Sequence, residues 1–420
     1  MIDIKQIREN REEVEKLLAR KGAKVNLDHL VEIDDQRLKL IKEVDELRAE
    51  KNQAASSRDI EKGRAIKEKL EKLEHSLSAV EEEYLRELFK IPNPPLSDVP
   101  EGGEEDGVVL RKVGDLPKFD FEVADHVKIG EALGIIDIPR AAKVSGSRFA
   151  YLKGDAALLE LALVQFATSR LVKEGFTPIF PPALIRSEIT SGLGYWQAGG
   201  NDNYYLVKDI NEEDNGSELN LYLVGTGEHS IVPMHSKEVF AKSELPKKYV
   251  AISPCFRRES GSYGKDTHGI LRVHQFDKVE MVEFVRPEDD EKYRREMLVL
   301  SEELMKELGL PYQVKKLAAG DLGFPSAETI DIETWIPSQK RYRETHSIST
   351  TTHFQSKRLN IRYQKEDGSK SYVHILNGTA IAIPRILVAI LENYQQKDGS
   401  VRVPKVLRDI LGKDTLSRTE

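Results

Sequence analysis

The sequence of 420 residues contains a single cysteine, Cys255. One thiol excludes an internal disulfide framework and a zinc site built from several cysteines. No apolar run approaches the length of a membrane-spanning helix, and the first residues lack the apolar core of a signal peptide. We therefore expect a soluble, cytoplasmic protein without zinc and without membrane association.

Excess positive charge is also absent, since the formal net charge is -8 at pH 7. A protein that grips nucleic acid with its whole surface is usually basic, so any RNA contact here requires a local basic patch. At about 150 residues per domain, the length predicts two or three domains.

The first 91 residues contain no proline and have glycine only at positions 22 and 63. Apolar residues recur there every three or four positions in two segments, which is the spacing of a coiled-coil seam. A short polar turn between the two segments predicts an antiparallel helical hairpin. Because every other helix face is charged, we favour a hairpin that extends into solvent over one that packs flat on its own domain. The seam residues are Leu30, Ile33, Leu40, Val44, Leu47 and Ala54, followed by Ile66, Leu70, Leu73, Leu77, Val80 and Tyr84.

A cluster of basic residues lies near the turn of this hairpin. Such a cluster suits phosphate contacts that position RNA without reading its bases, whereas an ordinary solvated helix face is the alternative interpretation. The candidate RNA-binding residues are Lys51, Arg58, Lys62, Arg64, Lys67 and Lys69.

Prolines and glycines between Ile91 and Gly107 end the helical pattern and predict a linker. Beyond it, β-rich runs alternate with amphipathic helices, which predicts an antiparallel α+β domain. We therefore predict two domains, residues 1–100 and 101–420. The clearest helix is 157–174, with a predicted apolar face of Leu158, Leu161, Ala162, Phe166 and Leu171.

Residues 256–280 are the most informative stretch. Phe256-Arg257-x-Glu259 and Arg272-Val273-His274-Gln275-Phe276-x-Lys278-x-Glu280 flank a loop that contains Gly261 and Gly264. The apolar residues before the loop and the alternation after it predict two strands of a hairpin. Arginines match phosphate by a bidentate fork and carboxylates accept an ammonium, so the hairpin suits an anionic ligand that also carries an amine.

This hairpin resembles motif 2 of class II aminoacyl-tRNA synthetases in the form of the seryl-tRNA synthetases. Four further segments resemble the same family in the same order: motif 1 at 175–184, the serine-binding T-x-E loop at 223–228, the strand 341–349 and motif 3 at 376–395. The resemblance covers essentially the whole chain. It implies an α+β fold, with a long N-terminal coiled-coil arm and an antiparallel class II sheet domain flanked by helices.

The resemblance also implies roles for individual residues. Glu280 would take the ammonium and hydroxyl of serine, and Glu344 with Ser347 would hold Mg²⁺ on the ATP phosphates. Implied serine-binding residues are Thr226, Gly227, Glu228, Arg257, Glu280, Asn377 and Thr379. Implied ATP-binding residues are Arg257, Arg258, Glu259, Arg272, Val273, Phe276, Glu344, Thr345, His346, Ser347 and Arg385.

Four positions depart from the family pattern. His346 and Ile348 replace a serine and a cysteine, and Ala380 and Pro384 stand where the family usually has glycine. Pro384 is compatible with the first turn of a helix, where its missing N–H costs nothing, so Arg385 can still open that helix. For His346 we favour a structural or solvent-facing role over one as a ligand.

The implied reaction uses ATP to activate L-serine as seryl-adenylate and transfers the seryl group to the 3′ end of tRNA(Ser), which the arm binds. The resemblance leaves open whether tRNA(Sec) is also used, and motif 1 implies a homodimer.

Two other classes of protein are the alternatives. An aminoacyl:carrier-protein ligase would lack the arm and carry a cysteine-bearing zinc site, and a non-catalytic RNA-binding paralogue would have lost residues such as Arg257, Glu280 and Arg385.

Overall fold

The computed structural model describes residues 1–57, 59–196, 200–208, 220–260 and 268–418. The chain divides into two compact units, Met1–Pro94 and Pro95–Glu420. The division lies six residues before the boundary at residue 100 that the sequence suggested, inside the proline-rich segment. Within the described residues no helix is long and apolar enough to cross a membrane.

The first unit is helical and contains the predicted hairpin. Its helices are α1 Ile4–Glu9, α2 Arg11–Arg20, α3 Leu27–Ser56 and α4 Ile60–Phe89. Each long helix has 30 residues, or about 45 Å, and begins at a side-chain cap: Asn26 accepts from His29 N at 3.2 Å and Asp59 from Lys62 N at 3.0 Å. The predicted seam is confirmed, because its residues are buried or half-buried.

The second unit contains nine further α-helices within the described residues. They are α5 His126–Leu133, α6 Ile138–Ser145, α7 Asp155–Lys173, α8 Ser187–Leu193, α9 Glu228–Ile231, α10 Asp290–Leu308, α11 Phe354–Leu359, α12 Ile383–Asn393 and α13 Lys405–Leu411. Apolar residues of α7, α10 and α12 form the main core together with one face of a large sheet.

The strands of this unit are β1 Val108–Val113, β2 Ile136–Asp137, β3 Tyr151–Leu152, β4 Thr177–Ile179, β5 Leu184–Arg186, β6 Leu206–Val207, β7 Leu221–Leu223, β8 Val239–Phe240, β9 Lys247–Phe256, β10 Gln275–Val285, β11 Tyr312–Lys316, β12 Glu328–Ile336, β13 Arg341–Thr350, β14 Arg362–Gln364, β15 Lys370–Tyr372, β16 His374–Ala382, β17 Val401–Arg402 and β18 Thr415–Leu416. The large sheet has the order β1-β11-β12-β13-β16-β10-β9-β4. Its neighbours are antiparallel except the edge pair of β4 and β9, so the predicted antiparallel α+β domain is confirmed.

The alternation of strand β10 shows how the sheet separates core from cavity. Val279 and Met281 are fully buried in the main core, so Lys278 and Glu280 face the opposite side. The hairpin predicted around 256–280 is therefore formed by β9 and β10, which pair from Phe256 opposite Gln275 onward. Its loop residues Gly261 and Gly264 lie outside the described residues.

Helix α7 agrees with the predicted helix, but its apolar face was partly wrong. Ala162, Phe166 and Leu171 are buried as predicted, whereas Leu158 and Leu161 are 46% and 65% exposed. Leu159 and Leu163, one and two positions on, fill the core instead. The helix is apolar on more than one side, so periodicity alone could not tell which stripe packs on the sheet.

The predicted linker is packed. Ile91 lies in the core of the first unit. Leu96 and Val99 pack on Leu317, Ala319 and Leu322 in the second unit, and Leu96 N donates to Ala327 O at 2.9 Å.

Candidate functional site

A polar cavity of about 550 Å³ lies on the face of the large sheet opposite α7, α10 and α12. Strands β10, β12, β13 and β16 form its floor. The structure brings most of the residues implied by the resemblance into its lining. Those that line it are Thr226, Glu228, Arg257, Glu259, Arg272, Val273, Phe276, Glu280, Glu344, Thr345, Ser347, Asn377, Thr379 and Arg385.

Three implied residues do not line this cavity. Gly227 is the middle residue of the T-x-E loop, and a Cβ there would come within 2.6 Å of the Ala251 Cβ, so glycine is required for the loop to approach β9. Arg258 is exposed, and its backbone N–H donates to Asn203 O at 2.9 Å. His346 is buried behind the cavity wall.

The implied RNA-binding residues belong to the other unit. Arg58 lies outside the described residues. The other five, Lys51, Lys62, Arg64, Lys67 and Lys69, are exposed on α3 and α4.

One end of the cavity is built on Glu280. Its carboxylate is buried and accepts from Lys278 Nζ at 2.6 Å and from Thr379 Oγ1 at 3.2 Å. Asn377 lies two residues before Thr379 on β16, and its Nδ2 has no hydrogen-bond partner among the described residues. An unpaired buried amide in a cavity wall is a donor available to a ligand.

A second buried carboxylate, Glu228, lies at the same end. It accepts from Tyr195 Oη at 2.9 Å and from Gln355 Nε2 at 2.8 Å. Burial raises the pKa of Glu228 to about 7, Gln355 and Tyr195 lower it, and the charge of Glu280 raises it. This carboxylate therefore exchanges a proton near neutral pH.

The T-x-E loop that carries Thr226 and Glu228 is fixed by two hydrogen bonds from its neighbours. Gly225 N donates to His229 Nδ1 at 3.1 Å, and Gly225 O accepts from Arg257 Nε at 3.0 Å. Burial holds the pKa of His229 well below its usual value, so its imidazole is a neutral acceptor. The loop and the motif 2 arginine are therefore held in one arrangement.

The other end of the cavity is rich in arginine. The Arg257 guanidinium lies 5.4 Å from the centre of the Phe276 ring, and Arg272 Nη1 lies 2.6 Å from Glu259 Oε2. Glu259 has a φ of 51°, a left-handed conformation that non-glycine residues seldom adopt and that tends to occur at functional sites. An aromatic ring beside one arginine, with a second arginine and a carboxylate in the same cavity lining, suits a base attached to phosphates.

Glu344 and Arg385 form the outer wall at this end. Arg385 Nη1 donates to Glu344 Oε1 at 2.7 Å and to the Glu344 backbone oxygen at 3.1 Å. Partial loss of hydration favours a raised pKa for Glu344, whose side chain is 47% exposed, but Arg385, supported by Arg257 and Arg272, holds that pKa below its usual value. As expected, Pro384 lies in the first turn of α12, and Arg385 follows it there.

A register shift in β13 explains why Glu344 and Ser347 line the same wall. Residues three apart in a regular strand face opposite sides. Against β12, Ile332 pairs with His346 but Glu333 pairs with Glu344, so Thr345 is an extra residue. The resulting bulge turns Glu344 back toward the cavity.

Asp331 is the buried residue that sequence reasoning missed at this wall. It lies opposite Ser347 on β12 and bonds its side chain, while Asp331 Oδ1 has no partner among the described residues. Burial, and then the charge of Glu344, raises the pKa of Asp331 well above its usual value. The Asp331 and Glu344 carboxylates and the Ser347 hydroxyl are the kind of oxygen ligands that Mg²⁺ prefers, and Asp331 Oδ1 has no other partner there among the described residues.

The described residues contain no group of three or more histidine, cysteine, aspartate or glutamate side chains that could hold a metal by themselves. Glu344, Asp331 and Ser347 thus fit a cation that takes its remaining ligands from a phosphate substrate and water.

Tyr195, Gln355 and Lys278 also contact the carboxylates of the site but were not assigned from sequence. Lys278 and Gln355 stand inside segments that carried the resemblance, namely K-x-E in the hairpin and F-Q after β13. Tyr195 had no signal, because only the fold brings it to Glu228.

Comparisons with known proteins agree with this geometry. Residues 205–394 match the class II core domain of the tRNA synthetases for G, H, P, S and T, and residues 1–95 match the seryl-tRNA synthetase N-terminal domain. Curated relatives include the Serine--tRNA ligase of Thermodesulfovibrio yellowstonii, 40% identical over 99% of this chain and 100% of its own length. That of Corynebacterium glutamicum is 42% identical, with coverage of 99% and 98%.

Solved structures give the same result. The seryl-tRNA synthetase of Pyrococcus horikoshii complexed with ATP is 37% identical, with a TM-score of 0.88 and full coverage of both chains. The cytoplasmic enzyme of Naegleria fowleri in complex with AMP is 30% identical, with a TM-score of 0.86 and coverage of 100% and 99%. From its two family matches, its full-length relatives and its fold, the chain belongs to the seryl-tRNA synthetase family.

Proposed function

We propose that this chain is a serine–tRNA ligase that activates L-serine with ATP and transfers the seryl group to the 3′ end of tRNA(Ser). One observation carries the proposal: a single cavity joins a buried carboxylate pair, Glu228 and Glu280, to the arginines 257, 272 and 385. The carboxylates suit an ammonium and the arginines suit a triphosphate.

At the carboxylate end, serine would bind with its ammonium on Glu280. A buried carboxylate accepts charge-assisted hydrogen bonds, and Lys278 and Thr379 hold it in place. Thr226, Asn377 and Thr379 supply hydroxyl and amide partners for the serine hydroxyl. A site built to bond a hydroxyl rejects alanine much more strongly than an apolar pocket rejects an extra methyl group.

At the arginine end, ATP would bind with its adenine on Phe276 and its amine on Glu259. Arg257 contacts both the T-x-E loop, through Gly225 O, and the Phe276 ring, and is our assignment for the α-phosphate, with Arg385 toward the γ-phosphate. Glu259 and Glu344 pair with arginines in the structure. Phosphate oxygens would take over part of that pairing.

In the first step a serine carboxylate oxygen attacks the α-phosphorus, the bond from that phosphorus to the bridging oxygen breaks, and pyrophosphate leaves. In the second, a terminal ribose hydroxyl of the tRNA attacks the seryl carbonyl and AMP leaves. The residues of the site hold the reactants in line and stabilise negative charge. Mg²⁺ on Glu344 and Ser347, beside Asp331, would neutralise phosphate charge when bound.

We propose that tRNA is bound by the basic cluster near the turn between α3 and α4. Lys51, Lys62, Arg64, Lys67 and Lys69 are exposed in an acidic protein, and such side chains position RNA through its phosphates. Arg58 belongs to the same proposal by sequence. Use of tRNA(Sec) and a cytoplasmic location stay predictions.

We further propose that the active form is a homodimer. The motif 1 segment continues from α7 into the edge strand β4, and Phe180 directly after it is 79% exposed. Leu158 and Leu161 on α7 are exposed as well. An apolar edge of this kind suits an isologous two-fold contact.

Serine-dependent exchange of pyrophosphate into ATP, followed by charging of tRNA, tests the proposal. We expect exchange with serine but not with alanine or threonine, and acylation of tRNA(Ser). Exchange without tRNA charging would indicate a carrier-protein ligase. Absence of both reactions would indicate an RNA-binding paralogue and would overturn the assignment.

A further inference from the structure

Strands β13 and β16 pair from Thr350 opposite Leu376 to Ile348 opposite Gly378. Two residues further along both strands, His346 comes to stand opposite Ala380. There the imidazole makes the link between the strands, because His346 Nε2 lies 3.0 Å from the Ala380 backbone oxygen.

Both residues lie at a register shift. Thr345, next to His346, is the extra residue of β13 against β12. On the other side, Val279 pairs with Ile381 while Glu280 pairs with Thr379, so Ala380 is an extra residue of β16 against β10. A bulge leaves backbone groups without their regular hydrogen bonds between strands. Here the His346 side chain donates to one such group, the Ala380 backbone oxygen.

The hydrogen bonds determine the tautomer of His346. A carbonyl oxygen only accepts, so Nε2 carries the proton and Nδ1 is an acceptor. Thr345 Oγ1 lies 2.9 Å from Nδ1 and 2.7 Å from Thr334 Oγ1, although Ile332 O at 3.1 Å competes for its proton.

These contacts close a ring around the arginine end of the cavity. From Glu344 the chain runs through Thr345 to His346, across to Ala380, and along β16 into α12. Arg385 on α12 then returns to Glu344 through its two hydrogen bonds. His346 is the internal link of the ring, and Arg385 with Glu344 is the link on the cavity side.

We propose that His346 is a positioning residue for the nucleotide: it joins the two bulges and so fixes the distance between Glu344 and Arg385. It does not touch the cavity, and the carboxylates at the serine end are held by other contacts. The inference rests on the proposed function, because it assigns His346 to the binding of MgATP in that reaction.

The test compares His346→Phe, which keeps a ring but loses both hydrogen bonds, with His346→Gln, whose amide can still donate to Ala380 O. In serine-dependent pyrophosphate exchange, His346→Phe should raise the KM for ATP about 10- to 100-fold, as loss of a residue that supports a ligand contact commonly does. The KM for serine should stay within about twofold, and His346→Gln should recover most of the ATP affinity.

Thr334→Val serves as a second variant if His346→Phe does not fold. It removes only the hydroxyl that begins the chain of hydrogen bonds, and should raise the KM for ATP about threefold, in line with one neutral hydrogen bond. Ile348→Val is the matched control, since it trims a buried neighbour on the same side of β13 outside the ring. It should leave the ratio of the two KM values unchanged.

Equal changes in both KM values, an unchanged KM for ATP, or the same selective shift in Ile348→Val would overturn the inference. Failure of the proposed function looks different, because the unmodified protein would then show no serine-dependent exchange at all.

Discussion

Lys278 Nζ lies 2.6 Å from Glu280 Oε2, and both side chains are buried, 7% and 3% exposed. The residues are two apart on β10, so both face the cavity. The opposite charges of this buried ion pair neutralise each other. The ammonium of a bound serine adds a further positive charge, which the remaining hydrogen-bond acceptors of Glu280 and the nearby Glu228 must neutralise. The affinity for serine should therefore depend on the charge of these carboxylates.

The first prediction concerns Glu280→Gln. Removing the charge that holds an ammonium in a buried site costs about 2–5 kcal/mol, so the KM for serine should rise about 30-fold or more while that for ATP changes little. Pyrophosphate exchange with each substrate varied in turn measures both values.

Glu283→Gln is the matched control for this change. Glu283 lies on the same strand, three residues on, but is fully buried in the opposite face of the sheet. It should leave both KM values within about twofold of the original. A Glu280→Gln protein that loses serine and ATP affinity equally would show a structural role for Glu280.

The second prediction concerns pH. The pKa of Glu228 is about 7, raised chiefly by burial, so this carboxylate is protonated below pH 7 and charged above it. If the charged form binds the serine ammonium, the KM for serine should rise as pH falls below 7, by up to about tenfold per unit. The KM for ATP at the same pH values is the internal control.

Gln355→Met sharpens this test. The Gln355 amide donates to Glu228 and lowers its pKa, so its loss should move the onset of the rise to a higher pH. A serine KM that is flat from pH 5.5 to 8 in the unmodified protein would contradict the role of Glu228.

The third prediction concerns stability. Both carboxylate oxygens of Glu283 have no hydrogen-bond partner among the described residues, and burial raises its pKa from 4.5 to about 8. The folded state thus holds a proton that the unfolded state releases between these values, so this group lowers stability progressively as pH rises from 4.5 to 8.

Glu283→Gln removes that dependence. Its melting temperature should exceed that of the original protein at pH 8.5, and the difference should shrink toward pH 5. A variant that is less stable at pH 8.5 would show instead that Lys248, whose Nζ lies 3.9 Å away, more than offsets the cost of burying the charged carboxylate.

Local patterns were sufficient to predict the arm and the hairpin, whereas much of the cavity lining was implied by the resemblance to the synthetase family. The α3–α4 seam follows from spacing within one helix, and the alternation of β10 follows from its own residues. The bulges at Thr345 and Ala380 depend on how distant strands pair, so the positions of Asp331 and His346 could not be read from sequence. The same applies to Tyr195, which only the fold brings to Glu228.

The fourth prediction separates the arm from the chemistry. The arm forms its own unit with its own core, so deletion of residues 36–80 should leave serine-dependent pyrophosphate exchange nearly intact and abolish tRNA charging. Equal loss of both activities would contradict this division.

A milder variant tests the basic cluster itself. Lys51, Lys62 and Lys67 changed together to Gln should weaken tRNA binding and reduce its salt dependence, because each lost phosphate contact releases about one counterion fewer. Lys39 and Lys42 changed to Gln on the same arm are the control. A triple variant with unchanged charging would favour the ordinary solvated helix face.

The fifth prediction concerns the homodimer. Phe180→Glu and Leu161→Glu place charges on exposed apolar residues, 79% and 65% exposed, near the edge strand β4. If these side chains become buried between two copies, each variant should be monomeric by light scattering at a concentration where the original protein is dimeric, because an unpaired charge is costly to bury. Val239→Glu, at an apolar position 37% exposed on β8, should not change the mass.

Mixed dimers test whether the arm of one copy delivers tRNA to the cavity of the other. One parent lacks residues 36–80 and keeps an intact cavity, and the other keeps its arm but carries Arg257→Ala, so neither charges tRNA alone. If the arm of one copy presents tRNA to the cavity of the other, mixing should restore charging, because each mixed dimer has an intact arm on one copy and an intact cavity on the other. The same mixture made with Phe180→Glu in both parents should stay inactive. No recovery from a mixture that light scattering shows to contain mixed dimers would indicate that each arm serves its own cavity.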